Sequence, residues 1–127
     1  MEFDLREHGF KTDLEYGQLD ISGNAQFGFR PYQLMVASIA SCSGSVFRKI
    51  LDKQRIQIED MRIKANIVRN EVEANRIEKI TLLFMIKGHQ LDEGKLSKSL
   101  KIARKNCSMI RSVENSIQIE EKIEVME

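Results

Sequence analysis

Few side chains in this sequence could act as nucleophiles or hold a metal: two cysteines, Cys42 and Cys107, and two histidines, His8 and His89. The cysteines stand 65 residues apart without a C-x-x-C pair, and each histidine sits beside a glycine in its own segment. That is no metal-ligand spacing, so neither metal nor cofactor is expected, and both histidines read as turn or surface residues. What remains is thiol chemistry. Only the thiolate attacks, and an ordinary cysteine with a pKa of about 8.5 is mostly protonated at neutral pH. Cys42 lies about three turns inside an apolar helical stretch, beyond the reach of the helix dipole. Ser38 and Ser45 share its face and could donate to the sulfur, but a cation would have to come from elsewhere in the fold or from a second chain. Cys107 stands where a short helical turn starts, at Cys107 or Ser108, and free N–H groups there would lower its pKa directly. A lone cysteine in an apolar helix also serves as a small hydrophobe, and the residue types alone leave both readings open.

The element that must position Cys42 is the stretch Phe29 to Arg55. Pro31 suits a first helical turn, where its missing N–H is no loss. From Leu34 to Phe47 no charge occurs, and apolar or small residues point all round the axis, which predicts a helix of roughly 24 residues buried on every side. Serines, Gly44 and the closing pair Arg48 and Lys49 make it a core helix and not a membrane span. The small run from Ala37 to Ser45 either admits a closely packed neighbour or leaves room round the Cys42 thiol.

Ahead of the helix, Phe10 to Leu14 and Gln18 to Ile21 read as strands joined near Tyr16 and Gly17, after an alternating Phe3 and Leu5, so a small antiparallel meander is expected. Behind it, Met61, Ile63, Ala65 and Ile67 alternate with Arg62, Lys64 and Asn66, and Asn70 to Asn75 suits a hairpin connection. Ile77 to Lys87 presents Ile80, Leu82, Phe84 and Ile86 on one face with Leu83 and Met85 on the other, a strand covered on both faces over its middle. Asp92 can cap a helix to about Arg104, with Leu96, Leu100 and Ala103 at helical spacing. Asn106 stops it, and a short turn follows through Met109, Ile110 and Val113. A last strand places Ile117, Ile119, Ile123 and Val125 on one face, with Glu121 as the exception. Strands in antiparallel pairs with helices on one face make an α+β domain, single at 127 residues.

Apolar content of 42% and charge of 31% fit an ordinary globular chain, and the N-terminus shows no signal-peptide pattern, so a cytoplasmic protein without membrane partners is expected. In that compartment both thiols would be kept reduced. A net charge of +1 with interspersed signs offers no basic stripe for nucleic acid.

Gly28-x-x-Pro31-x-x-Leu34 followed by Ala37-Ser38-Ile39-Ala40-Ser41-Cys42 resembles the opening motif of the OsmC/Ohr family, with its cysteine eleven residues past the proline. Ala103-Arg104-Lys105-Asn106-Cys107 resembles the family's approach to its second cysteine, and Gly17-Gln18-Leu19-Asp20 its N-terminal hairpin. The resemblance covers essentially the whole chain. It implies an OsmC-like fold, with an antiparallel sheet and a long buried central helix, in an intertwined homodimer. It also implies a thiol-dependent peroxidase that reduces organic hydroperoxides, with Cys42 peroxidatic, Cys107 resolving and an external dithiol as reductant. Active members carry a glutamate directly after the motif proline, paired with an N-terminal arginine. Here Tyr32 holds that position, Arg6 is the nearest candidate arginine, and Ser108 follows the second cysteine where proline is common. The alternative is a redox-responsive or ligand-binding dimer of the same fold with little peroxidase activity.

Overall fold

The alternation near the N-terminus folds as its pattern predicts. In this computed structural model, which describes residues 1–126, three short strands, β1 (Asp4–Arg6), β2 (Gly9–Asp13) and β3 (Gln18–Ile21), pair antiparallel in chain order. They belong to the first of two compact units, Met1–Ala37, the second beginning at Ser38. Reciprocal bonds between Leu14 and Gly17, at 3.0 and 3.1 Å, close the β2 to β3 hairpin. The buried hydroxyls of this unit are satisfied by backbone, Thr12 donating to the Glu2 carbonyl at 2.7 Å and Ser22 to that of His8 at 2.6 Å. Gly28 must be glycine: Phe29 N–H donates to the Asp20 carbonyl at 2.8 Å, and a Cβ on Gly28 would lie 2.7 Å from that same oxygen. Phe3, Leu5, Phe10 and Phe29 are left exposed.

Helix α1 runs Pro31–Lys53. It ends because Arg55 turns left-handed, with φ of 58°, so that Ile56 N–H reaches back to the Leu51 carbonyl at 2.9 Å and Arg55 N–H to that of Asp52 at 3.1 Å. Within this chain α1 is not buried all round. Val36, Ile39, Ser43, Phe47 and Leu51 form one buried stripe, while Met35, Ser38, Ser41, Ser45, Arg48 and Asp52 are exposed. A sheet of three strands can cover one face of a helix and no more.

In the second unit that sheet comprises β4 (Asp60–Asn70), β5 (Arg76–Lys87) and β6 (Gln118–Met126), in that order. β4 and β5 form the expected antiparallel hairpin, with a bulge between Val68 and Arg69. β6 differs from the all-antiparallel expectation. It runs parallel to β5, Ile80 opposite Ile119 and Phe84 opposite Ile123, because the chain returns through two helices, and a helical crossover brings a strand back in the same direction. Those helices are α2 (Glu93–Asn106) and α3 (Ser108–Val113). Asp92 caps α2, its carboxylate accepting from the N–H of Gly94 at 2.9 Å and of Lys95 at 3.2 Å.

The core lies against the inner face of this sheet. Ile80, Leu82, Phe84 and Ile86 of β5 are fully buried with Phe47 and Leu51 of α1, Leu96 and Ala103 of α2 and Ile110 of α3. Phe47 meets Phe84 edge to face with centroids 5.5 Å apart, and each buried ring contributes about 1.5–3 kcal/mol. On the other face of β5, Leu83 and Met85 are half-buried, so the second covering the sequence called for is partial in this chain. Gly44 shows one use of the small run: a Cβ there would lie 2.7 Å from Ile63 Cδ1, so α1 packs closely on β4.

Candidate active site

Both candidate thiols fall in the second unit, and the fold brings them together. Cys42 projects half-buried from the middle of α1. Cys107 is fully buried in the single extended residue (φ −87°, ψ 107°) that ends α2 and starts α3. Its N–H donates to the Arg104 carbonyl at 3.4 Å and its carbonyl accepts from Arg111 N–H at 3.0 Å, so both helix ends fix it. Both cysteines are free thiols.

The start of α3 acts on the Cys42 sulfur. The Met109 N–H holds the Cys42 pKa below its ordinary value, against the opposing effect of burial, with further donation from the Cys107 thiol and from the hydroxyl and N–H of Ser108. The Ser108 hydroxyl lies 3.8 Å from the sulfur. Cys107 moves the other way. Burial pushes its thiol up, Ile110 N–H offsets part of that, and the neighbouring Cys42 raises it further, since ionising Cys107 would lose its donation and set two negative sulfurs side by side. The sequence expectation holds for the amides and not for the net shift: the Ile110 and Met109 N–H groups lower the Cys107 pKa, but burial outweighs them, and the Met109 and Ser108 amides also favour the thiolate of Cys42 across from them. The pair is polarised: the Cys42 pKa is lowered, with the Cys107 thiol among its donors, and the Cys107 pKa is raised.

Behind the thiols lies a cluster with no counterpart in the motif. β6 alternation carries Glu121 inward, leaving its side chain 5% exposed. Ser43, next to Cys42, donates to Glu121 Oε2 at 2.7 Å. Arg104 donates from Nη1 to the Ile119 carbonyl at 2.8 Å, and the same nitrogen lies 3.9 Å from Glu121 Oε1. Burial raises the Glu121 pKa, partly opposed by the Ser43 hydroxyl and the Arg104 charge. The signal for this residue was in the sequence, a carboxylate in phase with four apolar residues. Ser108, Ser43 and Arg104 gave none, because each matters only through a neighbour distant in the chain.

Arg6 closes β1, exposed, and Tyr32 lies in the first turn of α1 with the Arg30 guanidinium 4.9 Å above its ring, both in the N-terminal unit. His8 stacks on Phe27 at 3.7 Å in the same unit, and His89 borders an open cleft with Arg55 and Lys95. Among the described residues, no three His, Cys, Asp or Glu side chains gather as a metal would require.

An α+β fold in which a long helix and a helix junction hold two reduced thiols against each other defines a dithiol protein. This chain belongs to the OsmC-like protein family, whose model matches residues 22–122. Among solved structures, a hypothetical protein from Aquifex aeolicus is 27% identical with a TM-score of 0.87 over 98% of this chain and 93% of that one. An organic hydroperoxide resistance protein OsmC from Legionella pneumophila shares 17% identity at a TM-score of 0.77, covering 98% of this chain and 94% of its own. The organic hydroperoxide resistance protein OhrB of Bacillus subtilis shares 18% at a TM-score of 0.62, covering 99% and 98%. At these last identities the likeness shows the fold alone. No curated protein sequence matches the chain.

Proposed function

We propose that this protein is a thiol-dependent peroxidase that reduces organic hydroperoxides, with Cys42 as attacking thiolate and Cys107 as resolving thiol. The observation that carries this reading is the polarised pair, a lowered Cys42 beside a raised Cys107. The Cys42 thiolate attacks the outer peroxide oxygen, the O–O bond breaks, and the alkoxide leaves with a proton as an alcohol while the sulfur becomes a sulfenic acid. Cys107 then displaces hydroxide from that sulfur, giving a disulfide and water once its own proton is accounted for. An external dithiol returns both thiols and leaves as its own disulfide. The Legionella and Bacillus relatives are named for organic hydroperoxide resistance, which supports this substrate class.

The protein acts as a homodimer in this reading. The exposed face of α1, the exposed apolar residues of the N-terminal strands and a cleft of about 920 Å³ beside Ser41, Gly44, Arg48 and Ile63 support a second copy as their covering. A second reading, a redox-responsive dimer that turns over slowly, draws on Tyr32 standing where active relatives carry glutamate and on donors, with no cation, leading the influences on Cys42. Mixing the protein with an organic hydroperoxide and a dithiol separates the two. Catalytic turnover that is lost in Cys42→Ser, with Cys107→Ser stopping after one equivalent at a trappable sulfenic acid, is the expected result. A single slow oxidation without turnover would favour the second reading, and turnover undiminished in Cys42→Ser would reject both.

A further inference from the structure

A carboxylate in the apolar phase of a buried strand costs several kcal/mol of desolvation unless its oxygens are bonded, and an apolar residue of similar size would often be more stable there. Glu121 is such a residue, and both of its side-chain neighbours stand at the thiols. Ser43, itself fully buried, directly follows Cys42, and Arg104 gives its carbonyl to the N–H of Cys107. Successive helix residues point about 100° apart, so pinning the Ser43 hydroxyl on Glu121 Oε2 fixes the rotation of α1 that aims Cys42. Arg104 ties the end of α2 to the same strand through the Ile119 carbonyl, two residues from Glu121.

We propose that Glu121 is a positioning residue: through Ser43 on one side and beside Arg104 on the other, it holds the two cysteine-bearing elements on β6 so that the sulfurs stay within bonding reach. This deepens the peroxidase reading and rests on its Cys42 and Cys107 pair. Without the clamp, α1 gains rotational freedom, the thiols spend less time facing each other, and the effective concentration of one toward the other falls.

The test is the equilibrium of the reduced protein with oxidised glutathione, in which one glutathione disulfide is reduced to two thiols as the Cys42–Cys107 bond forms. It is read by acid quenching and mass spectrometry on protein shown to be folded by its melting curve. Glu121→Ala and Ser43→Ala are expected to lower that equilibrium constant about tenfold or more, roughly 30 mV in potential. Glu121→Gln keeps an oxygen for the Ser43 hydroxyl and stays within about threefold of wild type. Ser43→Ala places a better helix former in α1 and carries the test if Glu121→Ala does not fold. A purely structural role would change melting temperatures and leave the constant of the folded protein alone, and an unchanged constant in a folded alanine variant overturns the inference while the peroxidase reading stands. Wild-type protein that forms no such disulfide at any glutathione ratio overturns both.

Discussion

Replacing Ser108 with alanine removes one donor from the Cys42 thiolate and leaves the Met109 and Ser108 amides in place, because alanine is at least as good a helix former at that position. A hydrogen bond to a charged group contributes about 1.5–3 kcal/mol when short and dry. This one spans 3.8 Å beside a half-exposed sulfur, so about 0.5–1 kcal/mol is the appropriate size, a two- to fivefold loss of thiolate below the titration range. Rate does not fall by the whole factor. A more basic thiolate is also more nucleophilic, with a Brønsted slope of about 0.4–0.5, which returns roughly half of the logarithm. Alkylation of Cys42 by iodoacetamide, followed by mass spectrometry of its peptide across about pH 5 to 10, should therefore give curves that cross. The variant is about 1.5–2-fold slower on the acid side and faster by a similar factor on the alkaline side. A constant ratio at every pH would mean that Ser108 controls access and not ionisation. Identical curves would mean that the hydroxyl does not act on the sulfur at all.

Three further outcomes follow from the same geometry. Phe47→Ala removes a fully buried ring and its edge-to-face partner, and urea unfolding should show a loss of about 3–5 kcal/mol, a large part of what a domain of this size possesses. Because burial raises the Glu121 pKa in the folded state, its contribution is fully present below the ordinary carboxyl range and is lost as pH rises through the folded value. Glu121→Gln has no such dependence, so in urea unfolding its stability relative to wild type should rise from acid to neutral pH, and a difference that falls over that window would reverse the assignment. Arg55→Gly relieves a left-handed residue at the end of α1, and its urea midpoint should rise by the equivalent of about 0.5–1 kcal/mol, since nothing else at that position requires a side chain.

Much of the framework was legible because it is encoded locally. Pro31 marked the start of α1, Asp92 capped α2, Asn106 ended it, and the alternation of Met61, Ile63 and Ile67 defined β4. The two cysteines were found by type and by motif. Three features were not readable, each for a reason that lies between distant parts of the chain. The alternation of Ile117, Ile119 and Ile123 is the same whichever way β6 runs, so only the α2 and α3 crossover set it parallel to β5. Apolar residues all round α1 cannot say how many faces one chain will cover, and this chain covers one. The net shift of Cys107 was not readable either: the amides at the start of α3 do lower its pKa, as their place in the sequence suggests, but burial, which only the fold sets, outweighs them, and the Met109 amide also acts on Cys42. The sequence by itself determined periods, caps and the two sulfurs, since these depend on neighbours within a turn or two. The tertiary structure decided the direction in which each thiol's pKa moves and which side chains lie beside the pair, since electrostatics depends on distance in space and α1, α3 and β6 meet only after folding.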